Sequence, residues 1–349
     1  MWRIKWGSWE YWPMWLVYAS VSVYYVWLAI RSRSLLFFSA SNPSIDFGGM
    51  CFEKKSKIYD ILPKEYCPKT ILIFPEETIH QLQEKMKLHG IAFPCVAKPE
   101  IGGKGWGVKK INSIEDLTHY QSVCSVEFLL QEWIVGEEEY SVFYCRYPSE
   151  EFGFITSVTQ KMLLKVTGNG MSTVEELVRQ SERAFLQLDT LRKQKQVHWD
   201  AVPNAGEEIL LVPYGNHARG ALFLNKTNDI DDTLTRSIDK IAKSIEGFYF
   251  GRFDLLTNSW DELRNGENIS IVELNGCGAE PVHIYEPGFS FMEGQKVIWK
   301  HFSIMRKIAE ENKRSGHEYM KPLHFINGWR EDREYRKKAP ARLLIQDRV

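Results

Sequence analysis

From about Lys54 onward, short apolar runs alternate with segments whose apolar positions recur at helical spacing. In residues 76–89, Ile79, Leu82 and Met86 share one side and Gly90 follows, which predicts a helix with its stop. Residues 91–97 and 128–134 read as strands. Residues 140–147 read as another, with 152–164 as its pairing partner. Ser113-Ile-Glu-Asp116 and Ser172-Thr-Val-Glu175 are capping patterns that open helices. Leu234, Ile238, Ile241 and Ile245 predict a helix over 232–246, closed by Gly247. Residues 248–256 and 269–275 are two further strands. The polar linker between them contains Asn265-Gly266, a hairpin signal. Residues 34–50 read as a loop-rich connection. The sum is an α+β chain.

The first stretch breaks this rhythm. Half of the twelve Trp lie between Trp2 and Trp27, and residues 12–30 carry no charge. Arg3 and Lys5 precede that run; Arg31 and Arg33 follow it. A bilayer span needs about 20 apolar residues, so the run only just reaches that length. Its Trp and Tyr content suits the headgroup region better than the hydrocarbon. No small-residue cleavage site follows, which argues against a signal peptide. Two readings stay open: membrane contact, spanning or interfacial, or packing on the protein itself. The chain beyond Glu310 is polar and basic and reads as a terminal helix with a solvated tail.

Composition adds little to this. The 349 residues carry a formal net charge of -1, which gives no electrostatic case for nucleic acid. Cys51, Cys67, Cys95, Cys124, Cys145 and Cys277 form no C-x-x-C pair, so a zinc site or disulfide framework is not expected.

Three constellations carry chemistry. On the 248–256 strand, alternation places Arg252 and Asp254 on one face; on its partner it does the same for Glu273 and Asn275. If the strands pair, two carboxylates, an amide and a guanidinium converge. Paired carboxylates call for a compensating cation, and Mg²⁺ takes oxygen ligands shared with phosphates. The bland alternative is a surface hairpin with its polar residues in water. The second constellation is Lys98, at the end of an apolar strand, followed by Gly102, Gly103, Lys104, Gly105 and Gly107. Such glycines bring backbone N–H groups close to anionic oxygens; otherwise the segment is a flexible turn. The third is Glu132-Trp133-Ile134, a strand edge that can meet an adenine, with Glu139 able to accept ribose hydroxyls.

In this order the three resemble the ATP-grasp superfamily, in particular carboxylate–amine ligases of the D-alanine–D-alanine ligase type. The resemblance covers about residues 54–300. It implies an ATP-grasp fold, with two α/β lobes clamping ATP. Residues 1–45 would be the aromatic N-terminal segment, 46–134 the N-lobe, 135–310 the C-lobe with the metal site, and 311–349 the basic tail. Lys98 would contact the α- and β-phosphates, and Gly102 to Gly107 would cover them. Glu132, Trp133 and Ile134 would sit at the adenine, and Glu139 at the ribose. Arg252-Phe-Asp254 and Glu273-Leu-Asn275 are similar to the family's R-x-D … E-x-N signature. That implies Mg²⁺ (or Mn²⁺) on Asp254, Glu273 and Asn275, and Arg252 on the transferring phosphate. Lys57 is similar to the family's first ATP lysine. Residues 166–174 resemble a segment of several amide-forming ligases. The family's usual domain ahead of the ATP lobes is missing or shrunken here, and the loop from Asp254 to Glu273 is longer.

The implied activity is ATP- and Mg-dependent activation of a carboxylate as an acyl-phosphate for attack by an amine. A kinase acting on a small molecule and a non-catalytic ATP-binding module are the alternatives. His217, Arg219, Glu280 and His283 are candidates for the substrate side. The partners expected are small-molecule acids and amines. The expected location is cytoplasmic, with the inner face of a membrane as an option through residues 12–30.

Overall fold

The computed structural model describes residues 2–103, 105–192, 197–213 and 215–339. Lys104 of the glycine loop lies outside them.

The aromatic N-terminus forms α1 (Trp2–Gly7), α2 (Met14–Val17) and α3 (Ala19–Ser32). The buried side of α3 carries Val21, Leu28 and Ala29. Fully burying such apolar side chains contributes about 1.5–3 kcal/mol for each large one. The segment thus packs on the protein itself. No helix among the described residues is long and apolar enough to cross a membrane.

The N-lobe follows as α4 (Lys55–Ile61), β1 (Thr70–Ile73), α5 (Ile79–His89), β2 (Cys95–Pro99), β3 (Lys109–Ile111), α6 (Ile114–Val123) and β4 (Phe128–Glu132). The strands form one antiparallel sheet in the order β1-β4-β2-β3. Thr78 starts α5 through a full capping box, and Gly90 ends it in the left-handed conformation. One face of the sheet packs under α5 and α6 around Ile73, Leu82, Ile111, Leu117 and Phe128. The other face, with Lys98 and Gln131, looks into the cleft.

The C-lobe begins with β5 (Glu138–Cys145) and β6 (Phe154–Met162). A small excursion follows: β7 (Leu164–Thr167), α7 (Val174–Gln180), α8 (Glu182–Phe185), α9 (Leu188–Leu191) and β8 (Glu208–Val212), with a core of its own. The chain returns through β9 (Leu222–Asn225), α10 (Asp232–Lys243), β10 (Phe250–Thr257), α11 (Trp260–Asn265) and β11 (Ser270–Asn275). The large sheet is antiparallel in the order β11-β10-β5-β6-β9. Tyr140, Val142, Tyr144, Phe253 and Leu255 pack on its inner face with α10. The opposite face changes character along its length. It is apolar at Phe143, Cys145 and Phe250, where α12 (Phe291–Arg314) covers it. It is polar at Ser141, Lys161, Arg252 and Asp254, of which Lys161 and Asp254 line the cleft.

Two expectations need correcting. The linker between the two signature strands is not a simple hairpin turn. Ser259 accepts from the Glu262 N–H and starts α11; Gly266, in the left-handed conformation, ends it. Asn-Gly here closes a helix. The terminal helix expected after Glu310 is present, but its face is not wholly solvated, and the tail expected beyond it, 340–349, lies outside the described residues. The last helix, α13 (Pro322–Lys338), buries Tyr335, whose hydroxyl donates to the Glu127 carbonyl at 2.7 Å in the N-lobe.

Candidate active site

A cleft of about 730 Å³ lies between the lobes, within the usual range for a small-molecule site. A second cavity, of about 220 Å³, adjoins it. Lys55, Lys98, Gly102, Gly103 and Glu273 line both.

Strand alternation brings Lys98 to the cleft. Ala97 and Cys95 point into the N-lobe core, so Lys98 and Val96 face the other way. The Lys98 ammonium donates to the Tyr59 hydroxyl at 2.7 Å and to Gln131 Oε1 at 2.9 Å. Burial pushes its pKa down to about 8, against the pull of Glu273 and Glu100.

Gly102 and Gly103, at the start of the glycine loop, line the same two cavities as this ammonium. Gly102 has φ 146°, and a Cβ there would meet the Trp106 ring at 2.6 Å, so a side chain is excluded. Lys55 ties the loop down by donating to the Gly102 carbonyl at 2.6 Å. Lys57 does not reach the cleft. On α4, positions 55 and 57 lie about 200° apart, so one faces the loop. The other pairs with Asp46 at 2.7 Å on the surface. Lys55 is the lysine that the structure puts in the cleft.

The C-lobe wall is built on β10 and β11. Arg252 pairs in register with Asn275, and Asp254 with Glu273. The register then slips, Leu255 opposing Ile271, so Val272 is an extra residue in β11. A bulge of this kind re-aims side chains, and Val272 and Glu273 both line the cleft. Arg252 grips both Asp254 oxygens, each at 2.9 Å. Ser141 donates to the same carboxylate, Lys161 stands 3.3 Å from it, and Asn275 Nδ2 lies 3.2 Å away. Burial alone would raise the Asp254 pKa; Arg252 and Lys161 hold it well below the usual carboxylate range.

Lys161 also pairs with Glu139 at 2.8 Å. Burial would lower its pKa, but Asp254 and Glu139 outweigh that and raise it. The other Glu139 oxygen accepts from the Gly215 N–H at 3.1 Å. A Cβ at Gly215 would come within 2.3 Å of that oxygen, which is why the position has none. Glu132, Trp133 and Ile134 line the cleft where β4 ends, with the Lys110 ammonium 4.2 Å from the Trp133 ring centre.

The four substrate-side candidates separate. Arg219 lines the cleft. His217 bonds to the Glu10 carboxylate at 2.7 Å and stacks on Tyr11, so it holds the N-terminal segment. Glu280 receives the Tyr18 hydroxyl, and its carbonyl accepts from Arg252 at 3.1 Å. His283 is buried, bonded to Ser157 at 2.7 Å, and burial lowers its pKa to about 4. It is a neutral core residue outside the cleft.

Arg252 engages both Asp254 oxygens and the Asn275 Nδ2 donates to one of them, so these oxygens are already partnered within the protein. Among the described residues no group of three His, Cys, Asp or Glu is arranged to hold a metal. Asp254, Glu273 and the Asn275 amide are a partial oxygen set. Mg²⁺ is commonly held in this way, with phosphates and water completing its shell.

Two lobes, a lysine strand, a glycine loop and a paired acidic hairpin now stand around one cleft. Among solved structures the chain is similar to a bifunctional glutathione synthetase from Pasteurella multocida, at 18% identity over 71% of this chain and 36% of that one, with a TM-score of 0.38. It is similar also to D-alanine–D-alanine ligase from Bacillus anthracis, at 15% identity over 76% and 71% of the two chains, TM-score 0.40. VanG D-Ala:D-Ser ligase from Enterococcus faecalis is a third, at 13% identity over 74% and 64%, TM-score 0.42. The match thus spans about a third of the glutathione synthetase. Likeness at this level carries nothing about substrate or chemistry. No protein-family model matches the chain, and no curated protein does.

Proposed function

We propose that this protein is an ATP- and Mg-dependent ligase that activates a carboxylate as an acyl-phosphate for attack by an amine. The observation that carries this reading is the meeting of Lys98 and Lys55 on one wall with Asp254 and Glu273 on the other, Arg252 standing behind Asp254 and gripping it.

ATP would enter with its adenine against the end of β4, at Glu132 to Ile134. Glu139, oriented by Lys161 and the Gly215 N–H, would accept ribose hydroxyls. Lys98 would neutralise the α- and β-phosphates. Lys55 would hold the glycine loop over them. Asp254, Glu273 and Asn275 would hold Mg²⁺, which when bound draws charge from the phosphate oxygens. Arg252, at the substrate end, would stabilise charge on the transferring group. A site of this kind works by positioning and neutralisation.

The test is calorimetry of Mg-ATP binding on the full chain beside Lys98→Ala and Asp254→Asn. Binding lost or much weakened in both, with amine-dependent release of ADP and phosphate in the wild type, is the expected result. A folded wild type that binds no ATP overturns the reading. A stable phosphorylated product without amine-dependent phosphate release reassigns the site to a kinase.

A further inference from the structure

Of twenty exposed large apolar side chains among the described residues, nine lie within the first 35 positions. They are not scattered. Val23, Val26, Trp27 and Ile30 follow at i, i+3, i+4 and i+7 on α3, which makes one continuous outward face. Val23 is 74% exposed and Ile30 71%. The opposite side of the same helix is buried on the protein, so this apolar face is surplus to the fold. Exposed Trp2, Trp6 and Trp15 extend the apolar character through α1 and α2.

The exposed charge carried by this segment has one sign. Arg3, Lys5, Arg31 and Arg33 are all exposed. No acidic residue lies between Tyr11 and Ile45. Glu10, the single acid before Asp46, is buried against Arg183 and His217 and offers nothing to the surface. The Arg31 guanidinium lies over the exposed Trp27 ring, 5.0 Å from its centre.

We propose that the outer face of the N-terminal segment seats the protein on an anionic lipid membrane, with α3 lying in the interface plane. Length excludes a span: 14 residues rise about 21 Å, short of a hydrocarbon core of about 30 Å. An apolar face rich in Trp and bordered by Arg and Lys is what the headgroup boundary of an anionic bilayer accepts. A second copy of the chain would bring the same basic rim against itself, which disfavours it as the occupant. The surface assignment itself does not depend on the chemistry of the cleft.

The test is sedimentation of the full chain with phosphatidylcholine vesicles, with and without phosphatidylglycerol. Binding to the anionic vesicles and little to the neutral ones is expected. Val23→Ser with Ile30→Ser should weaken it by about tenfold or more. Arg3→Ala and Arg31→Ala should each weaken it by about fivefold. All these positions are exposed, so the melting temperature should be unchanged and serves as the folding control. A folded wild type that ignores both vesicles overturns the proposal. So do variants that bind as well as wild type, equal binding to both vesicle types, or self-association lost in Val23→Ser/Ile30→Ser without any vesicle binding.

Discussion

Lys161 and Asp254 meet at 3.3 Å across the C-lobe sheet although their strands are not neighbours. Their side chains reach over Ser141 of the strand between, which donates to the same carboxylate. Both are almost wholly buried, so the pair holds charge away from water. Removing one partner from a buried ion cluster costs about 3–5 kcal/mol. Lys161→Met leaves Glu139 without its cation and takes from Asp254 one of its two cationic partners, Arg252 remaining. The expected cost is near the lower bound, about 3 kcal/mol, measured by urea denaturation, together with a loss of ATP affinity. Lys161→Arg should recover most of the stability.

Lys98 gives a pH dependence with a definite sign. Its pKa falls on folding from 10.5 to about 8. Between those values the unfolded chain holds more protons at this group than the folded one. Its contribution to stability therefore rises with pH through that window and is a constant penalty below it. Nucleotide affinity moves the other way, because the positive charge is lost as pH passes about 8. Calorimetry from pH 7 to pH 9.5 should show ATP binding weakening at the alkaline end, by at most about tenfold per pH unit. In Lys98→Arg the decline should be absent, since guanidinium stays charged.

The N-terminal segment should prove essential to folding. Starting the chain at Phe52 removes Val17, Val21, Leu28, Phe37, Phe38 and Ile45, all buried. At about 1.5–3 kcal/mol each, that loss is comparable to the whole stability of an ordinary domain, about 5–15 kcal/mol. The expected outcome is a chain that aggregates or lacks a cooperative thermal transition. A soluble truncated chain with a wild-type melting temperature would refute this.

Much of the cleft was legible because its signals are local. Alternation put Arg252 with Asp254 and Glu273 with Asn275, and strand pairing then brought the two faces together. Capping at Ser113 and the stop at Gly90 were equally local. What escaped depends on contacts between distant segments. The sequence reading points to Lys57 and misses Lys55, because the local pattern does not say which side of α4 meets the glycine loop. Lys161 carried a usable signal: once 140–147 and 152–164 are paired, the register sets it opposite Glu139. Glu10 gave none, since its partners Arg183 and His217 are about half the chain away. Ser259-x-x-Glu262 in the linker was a helix start overshadowed by a stronger turn signal at Asn265-Gly266.

The last helix has its two ends in different lobes. Phe325 packs among the residues under the C-lobe sheet, and Gly328 lies against Phe47. Three turns later Tyr335 is locked into the N-lobe, bonded to Glu127 and contacted by the Ile101 N–H. A rigid rod pinned at both ends acts as a cross-brace on the jaws. Swinging the lobes apart would have to break one of its anchorages.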